Sequence, residues 1–262
     1  MRPRKQCWNR LSKHSDRLSH ISYTSLLLDE KIMRTTRADN RYCLPILKRS
    51  RKEVQNTIED NLERYRFFEV WLDYITDLDP GFASSLVGLY PHRLIMVTRR
   101  QNFEPCKIDP ATRFDILKTL SRKNVLVDLD ISSQVEEITR AQTERLAIKT
   151  ILSYHNYKQT PSDTELRSIT ARIAGWGAHV TKISTFCTIQ RDALRLLSLL
   201  IDLRETGRRC IVLGMGKHGV ITRVFGPQWG NDISFAPVDT AQRSAPGQLA
   251  LDKLDSIMRA LA

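Results

Sequence analysis

One lysine lies within an otherwise apolar, β-branched run of the sequence. Lys182 stands in the segment His179–Ile183, whose composition is typical of a buried β-strand. Burying an ammonium group costs several kcal/mol unless the group is paired or loses its proton. A desolvated, neutral lysine amine can attack a carbonyl carbon and form an imine. Lys182 is therefore the first candidate for chemistry, as a Schiff-base nucleophile.

Other polar side chains interrupt or follow the neighbouring apolar runs. His155 comes directly after the run from Ile148 to Tyr154. An imidazole can remove a proton and return it, because the ordinary pKa of histidine lies near neutrality. A lone histidine at a strand end is more often structural, so the interpretation depends on the polar residues at the other strand ends. These are Glu69, Asp73, Arg99, Arg100, Asp128 and Asp130.

The elements that must position these residues alternate regularly from Tyr42 onward. The predicted strands are Cys43–Leu47, Phe67–Leu72, Leu94–Thr98, Val125–Leu129, Ile148–Tyr154, His179–Ile183, Arg209–Leu213 and Asp232–Phe235. The predicted helices between them include Asp109–Ser121, Gln134–Leu146, Ser162–Gly175 and Ile189–Arg204. Strands that alternate with helices indicate parallel βαβ units, and eight of them can close a (β/α)8 barrel. The 262 residues suffice for this fold.

In such a barrel the strand C-termini converge on one mouth, where active sites are built. Lys182, His155 and the acidic residues would then face one another. An open, doubly wound sheet is the alternative fold. It would normally need a glycine-rich turn after an early strand, and this sequence has none there.

Four motifs occur in a fixed order along the chain. They are Ser153–Tyr157 with Thr160–Pro161, then Val180–Ile183, then Gly214–Gly216 with Gly219–Arg223, and finally Ser244–Gln248. His155 precedes Lys182 by 27 residues. In order and spacing these motifs resemble those of the type I 3-dehydroquinate dehydratases, Schiff-base enzymes of the shikimate pathway and so of aromatic amino acid biosynthesis. The resemblance covers roughly residues 42–262.

The resemblance implies a role for each matching residue. Lys182 would be the nucleophile, His155 the general acid and base, and Glu104 the carboxylate that orients His155. The implied substrate-binding residues are Glu69, Arg100, Asp128, Asp130, Met215, Arg223, Phe235, Ser244 and Gln248. The implied reaction converts 3-dehydroquinate to 3-dehydroshikimate and water, with Arg223 on the substrate carboxylate. It implies no metal or organic cofactor, and a homodimer would be compatible with it.

Three positions depart from the family pattern. Where the family has Glu-x-Arg-x-Asp in the second strand, this chain has Trp71 between Glu69 and Asp73. Glu104 is followed by proline and cysteine instead of two glycines, and Asp130 stands where a longer glutamate is common. Because strand side chains alternate, Trp71 should face the same side as Glu69. The alternative hypothesis is therefore a divergent or inactive Schiff-base barrel that acts on a related keto-acid.

The net charge of +12 is concentrated near the N-terminus. Residues 1–50 hold 12 Lys and Arg against 4 Asp and Glu, which leaves +4 for the other 212 residues. We expect residues 1–41 to be a poorly ordered basic extension and residues 42–262 to be the barrel domain. The extension also has the composition of an organelle transit peptide, although we expect a cytoplasmic protein.

From this distribution of charge along the sequence, nucleic acid is not an expected partner. A nucleic-acid-binding or scaffold protein would have basic residues spread over one face with aromatic residues among them. The aromatic residues of the extension are only Trp8 and Tyr23, and the charge of the body is nearly balanced.

The five cysteines form no Cys-x-x-Cys pair, which argues against zinc and disulfides. No apolar run reaches the roughly 18 residues that a membrane span requires.

Overall fold

The computed structural model describes residues 41–98 and 108–261, which form eight strands and eight α-helices in alternation. The strands are β1 (Tyr42–Ile46), β2 (Phe67–Trp71), β3 (Leu94–Val97), β4 (Leu126–Asp130), β5 (Lys149–Asn156), β6 (Val180–Phe186), β7 (Cys210–Met215) and β8 (Ser234–Phe235). The helices are α1 (Arg51–Glu59), α2 (Pro80–Leu89), α3 (Pro110–Leu120), α4 (Val135–Thr143), α5 (Asp163–Gly175), α6 (Gln190–Glu205), α7 (Gly216–Gln228) and α8 (Leu251–Ala260). Short 3-10 turns lie at Leu72–Tyr74 and Thr240–Gln242. The predicted strands and the four predicted helices are confirmed, with bounds shifted by at most three residues.

All eight strands are parallel and belong to one sheet. Their order is β7-β6-β5-β4-β3-β2-β1-β8, so each strand from β1 to β7 lies beside its neighbour in sequence, and β8 returns to pair with β1. This curled sheet with its alternating helices is the (β/α)8 fold, and the alternative of a doubly wound sheet is wrong. The predicted basic extension lies outside the described residues except for Arg41.

A side chain completes the contact between β8 and β7. The side-chain amide of Asn231 accepts a hydrogen bond from Val212 N at 2.7 Å and donates one to Val212 O at 3.0 Å. The next residue, Asp232, donates its backbone N–H to Cys210 O at 2.9 Å. Gly226 allows this approach, because a Cβ there would lie only 2.4 Å from Asn231 Nδ2. Asn231 thus pairs with β7 as a further strand residue would.

Local sequence signals determine where several helices begin. Ser50 and Ser162 each cap a helix and form a capping box with the glutamate three residues later. Asp79 and Asp109 cap α2 and α3, and each precedes a proline at the first helical position. These starts fix the length of each strand-to-helix loop, and those loops form the mouth at the strand C-termini.

The strands contribute to two apolar clusters. Their outward side chains pack against the helices in a large core that includes Leu44, Phe68 and Val127. A smaller cluster contains residues from six strands and the segment before β8, with no helical residue. It consists of Cys43, Ile95, Ile151, Val180, Ile211, Leu213, Ile233 and Phe235, with Phe67 and Leu126 packed against it. This second cluster is the apolar floor of the barrel interior, on which the polar residues stand.

Candidate active site

Polar side chains lie above the apolar floor because strand residues alternate between the two faces of the sheet. On β2, β4, β5 and β6, the residue two positions after the floor residue is polar. These residues are Glu69, Asp128, Ser153 and Lys182, and all four are buried. Two positions further on stand Trp71, Asp130, His155 and Ser184, which are buried as well. A step of two residues along each strand therefore leads from the apolar layer to a layer of polar and charged side chains.

Lys182 is the centre of the charged layer. Its Nζ donates to Asp128 Oδ2 at 2.7 Å and to Glu69 Oε1 at 3.0 Å, and its side chain is 3% exposed. The same Nζ lies 4.4 Å from the centroid of the Phe235 ring, a cation–π distance. Ser153 donates to the other oxygen of Asp128. Two carboxylates that face one ammonium offset the cost of burying it.

Trp71 contacts this layer through Glu69. Its indole Nε1–H donates to Glu69 Oε2 at 2.8 Å, so the expectation that both side chains face the barrel interior is confirmed. The Trp71 ring lies edge-on to Tyr74, with centroids 5.7 Å apart and planes at 88°. Glu69 therefore has one oxygen on Lys182 and the other on Trp71.

His155 is held by a carboxylate on the neighbouring strand. Its Nδ1 lies 2.8 Å from Asp130 Oδ2. The other oxygen of Asp130 accepts the backbone N–H groups of Ser132 and Ser133 at 2.8 and 3.2 Å, which fix the carboxylate in place. Tyr157 stacks on the imidazole with a centroid distance of 6.0 Å. This is how a carboxylate orients an imidazole for proton transfer.

A buried arginine lies behind Phe235. Arg223, on α7, is 4% exposed, and burial lowers its pKa from 12.5 to about 10, so it remains a cation at neutral pH. Within residues 41–98 and 108–261, no acceptor is within hydrogen-bond distance of its Nε or Nη1. Arg223 and Phe235 line one small cavity of about 10 Å³. A buried guanidinium with unused donors is suited to an anionic ligand group.

The remaining predicted residues occupy the end of β7 and the loop before α8. Met215 is the last residue of β7 and is buried. Gln248 Nε2 donates to Ser244 Oγ at 3.0 Å, and both residues line a pocket of about 670 Å³. In the described part of the chain, no hydrogen bond joins this pair to Lys182.

Two of the predicted site residues lie in a part of the chain that the structure does not describe. Glu104 and Arg100 belong to the segment 99–107, which lies outside the described residues. The contact of Asp130 with His155 was not predicted, since the resemblance placed Glu104 in that role. Ser153 was missed as well, although its position two residues before His155 on one strand was the available signal. Within the described ranges, no three His, Cys, Asp or Glu side chains are grouped so as to hold a metal ion.

The fold and the buried lysine define the class of protein: a (β/α)8-barrel enzyme whose polar centre lies above the apolar floor of the barrel. The family model for type I 3-dehydroquinase matches residues 42–262, and the chain belongs to this family of hydro-lyases. None of the helices in the described residues is long and apolar enough to cross a membrane.

Relatives and solved structures agree with this assignment. The chain is 32% identical to a 3-dehydroquinate dehydratase of Methanopyrus kandleri over 196 residues, 74% of this chain and 86% of the relative. It is 27% identical to that of Methanosarcina acetivorans over 205 residues, 74% and 84% of the two chains. A crystal structure of the type I enzyme from Clostridium difficile superposes with a TM-score of 0.73 at 22% identity, over 86% of this chain and 93% of that one. At this identity the superposition establishes the shared fold.

Proposed function

We propose that this protein converts 3-dehydroquinate to 3-dehydroshikimate and water through an imine on Lys182, with His155 as general acid and base. The observation that carries the proposal is the buried Lys182 amine between Glu69 and Asp128. The membership of the chain in the type I 3-dehydroquinase family supports the choice of substrate.

The first stage is imine formation. Lys182 must give up a proton before its lone pair can attack, and Glu69 Oε1 and Asp128 Oδ2 are both within reach to accept it. The neutral amine adds to the C3 ketone of the substrate, and the carbinolamine loses water. The product is an iminium ion, which withdraws electrons from the adjacent C2–H bond.

The second stage is elimination. His155, in its neutral form, removes a proton from C2, and the electron pair enters the enamine. The enamine expels the C1 hydroxyl, which takes the proton from His155 and leaves as water. Hydrolysis of the remaining imine releases the product and restores the lysine. Asp130 keeps the imidazole in one orientation for both transfers and stabilises the imidazolium between them.

Binding of the substrate carboxylate falls to Arg223. Its unused donors can hold a carboxylate in a two-pronged grip that a lysine could not provide. Ser244 and Gln248, now bonded to each other, supply further hydrogen bonds from the loop before α8. By resemblance, Glu104 and Arg100 would complete the site from the segment after β3, and Met215 would pack against the substrate.

Imine trapping tests the proposal directly. Full-length protein is mixed with 3-dehydroquinate and sodium borohydride, and peptides are mapped by mass spectrometry. We expect the reduced adduct on Lys182. The Lys182→Arg variant is the matched control, since it keeps a cation between Glu69 and Asp128 but cannot form the imine. It should lose both the adduct and the rise in dehydroshikimate absorbance.

The second variant separates the two stages. His155→Ala should still form the trapped adduct, while turnover falls by at least the roughly 10²–10⁴-fold of one general acid or base. An adduct on another lysine, or near-normal turnover by Lys182→Arg, would refute the mechanism.

A related keto-acid is the second candidate substrate, and Trp71 is the reason. The family places an arginine at this position, whereas Trp71 has a single N–H donor, and Glu69 accepts it. The same imine chemistry would then act on a ligand that needs no cation at this side of the site. Turnover of 3-dehydroquinate by the purified protein separates the two substrates.

A further inference from the structure

Basic residues stand at the entrance of seven of the eight strands. They are Arg41 before β1, Arg66 before β2, Arg93 before β3, Lys123 ahead of β4, Lys149 at the start of β5, His179 before β6 and Arg209 before β7. Because all strands are parallel, these residues encircle one mouth of the barrel, opposite to the mouth that bears His155. Backbone hydrogen bonds join members of this ring to the first residues of the adjacent strands, for example Arg66 N to Tyr42 O at 3.1 Å and Thr181 N to Arg209 O at 3.0 Å.

The segments around this mouth carry a strong excess of positive charge, and we call them the basic pole. They comprise residue 41 and the segments 60–66, 90–93, 121–125, 144–149, 176–179, 206–209 and 229–233. They hold ten Lys and Arg against four Asp and Glu. The described segments that follow the strands at the other mouth hold four against five. The small net charge of the barrel domain therefore conceals one strongly basic end and one nearly neutral end.

Among the residues that the structure describes, three of the ten cations of the pole, Arg41, Arg64 and Arg209, have a carboxylate within 4.0 Å, and Asp252 is the partner of Arg64. Asp232 is buried and accepts Arg209 Nε at 2.6 Å, with Arg204 at 3.7 Å and Arg41 at 3.9 Å. By contrast, Arg122, Arg145 and Arg208 are exposed, and within the described residues no carboxylate lies within 4.0 Å of them. The helices end at this pole, and their C-terminal carbonyls lower the cost of gathering cations there. The exposed arginines of the pole are therefore available to bind an anionic partner.

We propose that the basic pole binds the phosphate backbone of a nucleic acid strand. Arginines outnumber lysines by eight to two in the pole, and a guanidinium fork matches phosphate oxygens in a way that an ammonium does not. Trp229, in the same set of segments, is 42% exposed and offers a ring on which a base can stack. Contacts of this kind depend on the charges of the phosphate backbone and do not distinguish one base sequence from another.

The catalytic mouth lies at the other end of the strands, so an occupied pole would leave access to Lys182 open. Binding and turnover are therefore expected to be independent.

Fluorescence anisotropy with a fluorescein-labelled oligo-dT strand tests the proposal on the full-length protein. The triple variant Arg122→Gln/Arg145→Gln/Arg208→Gln removes three cations from the pole. The matched control, Lys52→Gln/Lys158→Gln/Arg191→Gln, removes three cations from the opposite end and leaves the same N-terminal residues in place. Both variants should keep wild-type turnover, which also shows that they fold.

Counterion release sets the expected size of the effect. Loss of three phosphate contacts should reduce the steepness of the plot of log affinity against log salt concentration by about 2. At 0.1 M salt this corresponds to a loss of up to about 100-fold in affinity. The control should bind like wild type. No binding by the wild type, or equal losses in both variants, would overturn the proposal. Polyglutamate that competes as well as oligo-dT would reject nucleic acid and favour an acidic protein partner.

Discussion

At the scale of single residues, Trp71 changes what the β2 side of the barrel can offer to a ligand. Its only side-chain N–H group donates to Glu69, so we expect a ligand on this side to meet an aromatic ring. An arginine at this position could bind Glu69 and still have donors left for the substrate. Trp71 thus donates to one oxygen of the carboxylate whose other oxygen accepts from Lys182.

Trp71→Arg should improve the use of 3-dehydroquinate. A regained charge-assisted contact is worth roughly 1.5–3 kcal/mol, or about 10- to 150-fold in binding. We expect steady-state kinetics to show this as a lower KM with a smaller change in kcat. Trp71→Phe is the control, because it removes the bond to Glu69 while it keeps a ring, and it should lower kcat. If Trp71→Arg lowers kcat/KM instead, the tryptophan belongs to a pocket adapted to another keto-acid.

The residues of the site were predictable to the extent that their types were unusual for their positions. A lysine in an apolar strand and a histidine at a strand end pointed to the centre of the site, and alternation placed Trp71 beside Glu69. The link from Asp130 to His155 was not predictable in the same way. It depends on the relative position of β4 and β5, which the sequence of neither strand contains. The roles assigned to Glu104 and Arg100 stay predictions.

At the scale of elements, the barrel is held together unevenly. The six neighbouring pairs among β1 to β7 share backbone hydrogen bonds in regular register, whereas β8 pairs with β1 through only two residues. Asn231 provides the contact that β8 does not make with β7, through two hydrogen bonds to Val212. The sequence predicted the strands because each has its own apolar pattern. It could not predict this junction, because a polar side chain takes the place of a strand backbone.

Asn231→Ala should therefore destabilise the barrel. The change leaves the N–H and C=O of Val212 without these partners in a buried position, at about 1–3 kcal/mol for each group. We expect the free energy of unfolding in urea to fall by about 2–4 kcal/mol. Asn124→Ala removes the same type of side chain from an exposed loop and should change stability by less than about 0.5 kcal/mol. Equal stabilities of the two variants would mean that the Asn231 bonds do not secure the barrel.

At the scale of the whole molecule, the candidate active site and the basic pole lie at opposite ends of the same strands. The mouth with His155 at the end of β5 is separated by the length of that strand from Lys149 at its start. Lys182 and His155 could be proposed from the sequence because each is of an unusual type for its position in a strand. The basic pole could not be predicted, because its members are ordinary surface residues in eight separate segments that only the curled sheet brings to one end. A charge count along the chain averages over this division.

The local field of the pole can be measured at His179 without any ligand. Burial lowers the pKa of His179 below its usual 6.5, and the charges of Lys149 and Arg209 lower it further. Its Nδ1 also accepts the backbone N–H of Thr150 at 3.2 Å, a bond that the protonated ring could not keep. The folded state therefore binds fewer protons here than the unfolded state, and this contribution to stability is lost as the pH falls below about 6.5.

Lys149→Gln should raise the pKa of His179, because one of the two cations that disfavour the imidazolium is gone. The measurement is an NMR titration of the imidazole carbon-bound protons, with the His179 signal assigned by its loss in His179→Gln. Lys158→Gln, which removes a lysine just beyond the other end of β5, should leave the titration unchanged. An unchanged or lowered pKa in Lys149→Gln would show that solvent already screens the charges of the pole at this distance. The same screening would weaken its attraction for phosphate, so the titration bears on nucleic acid binding as well.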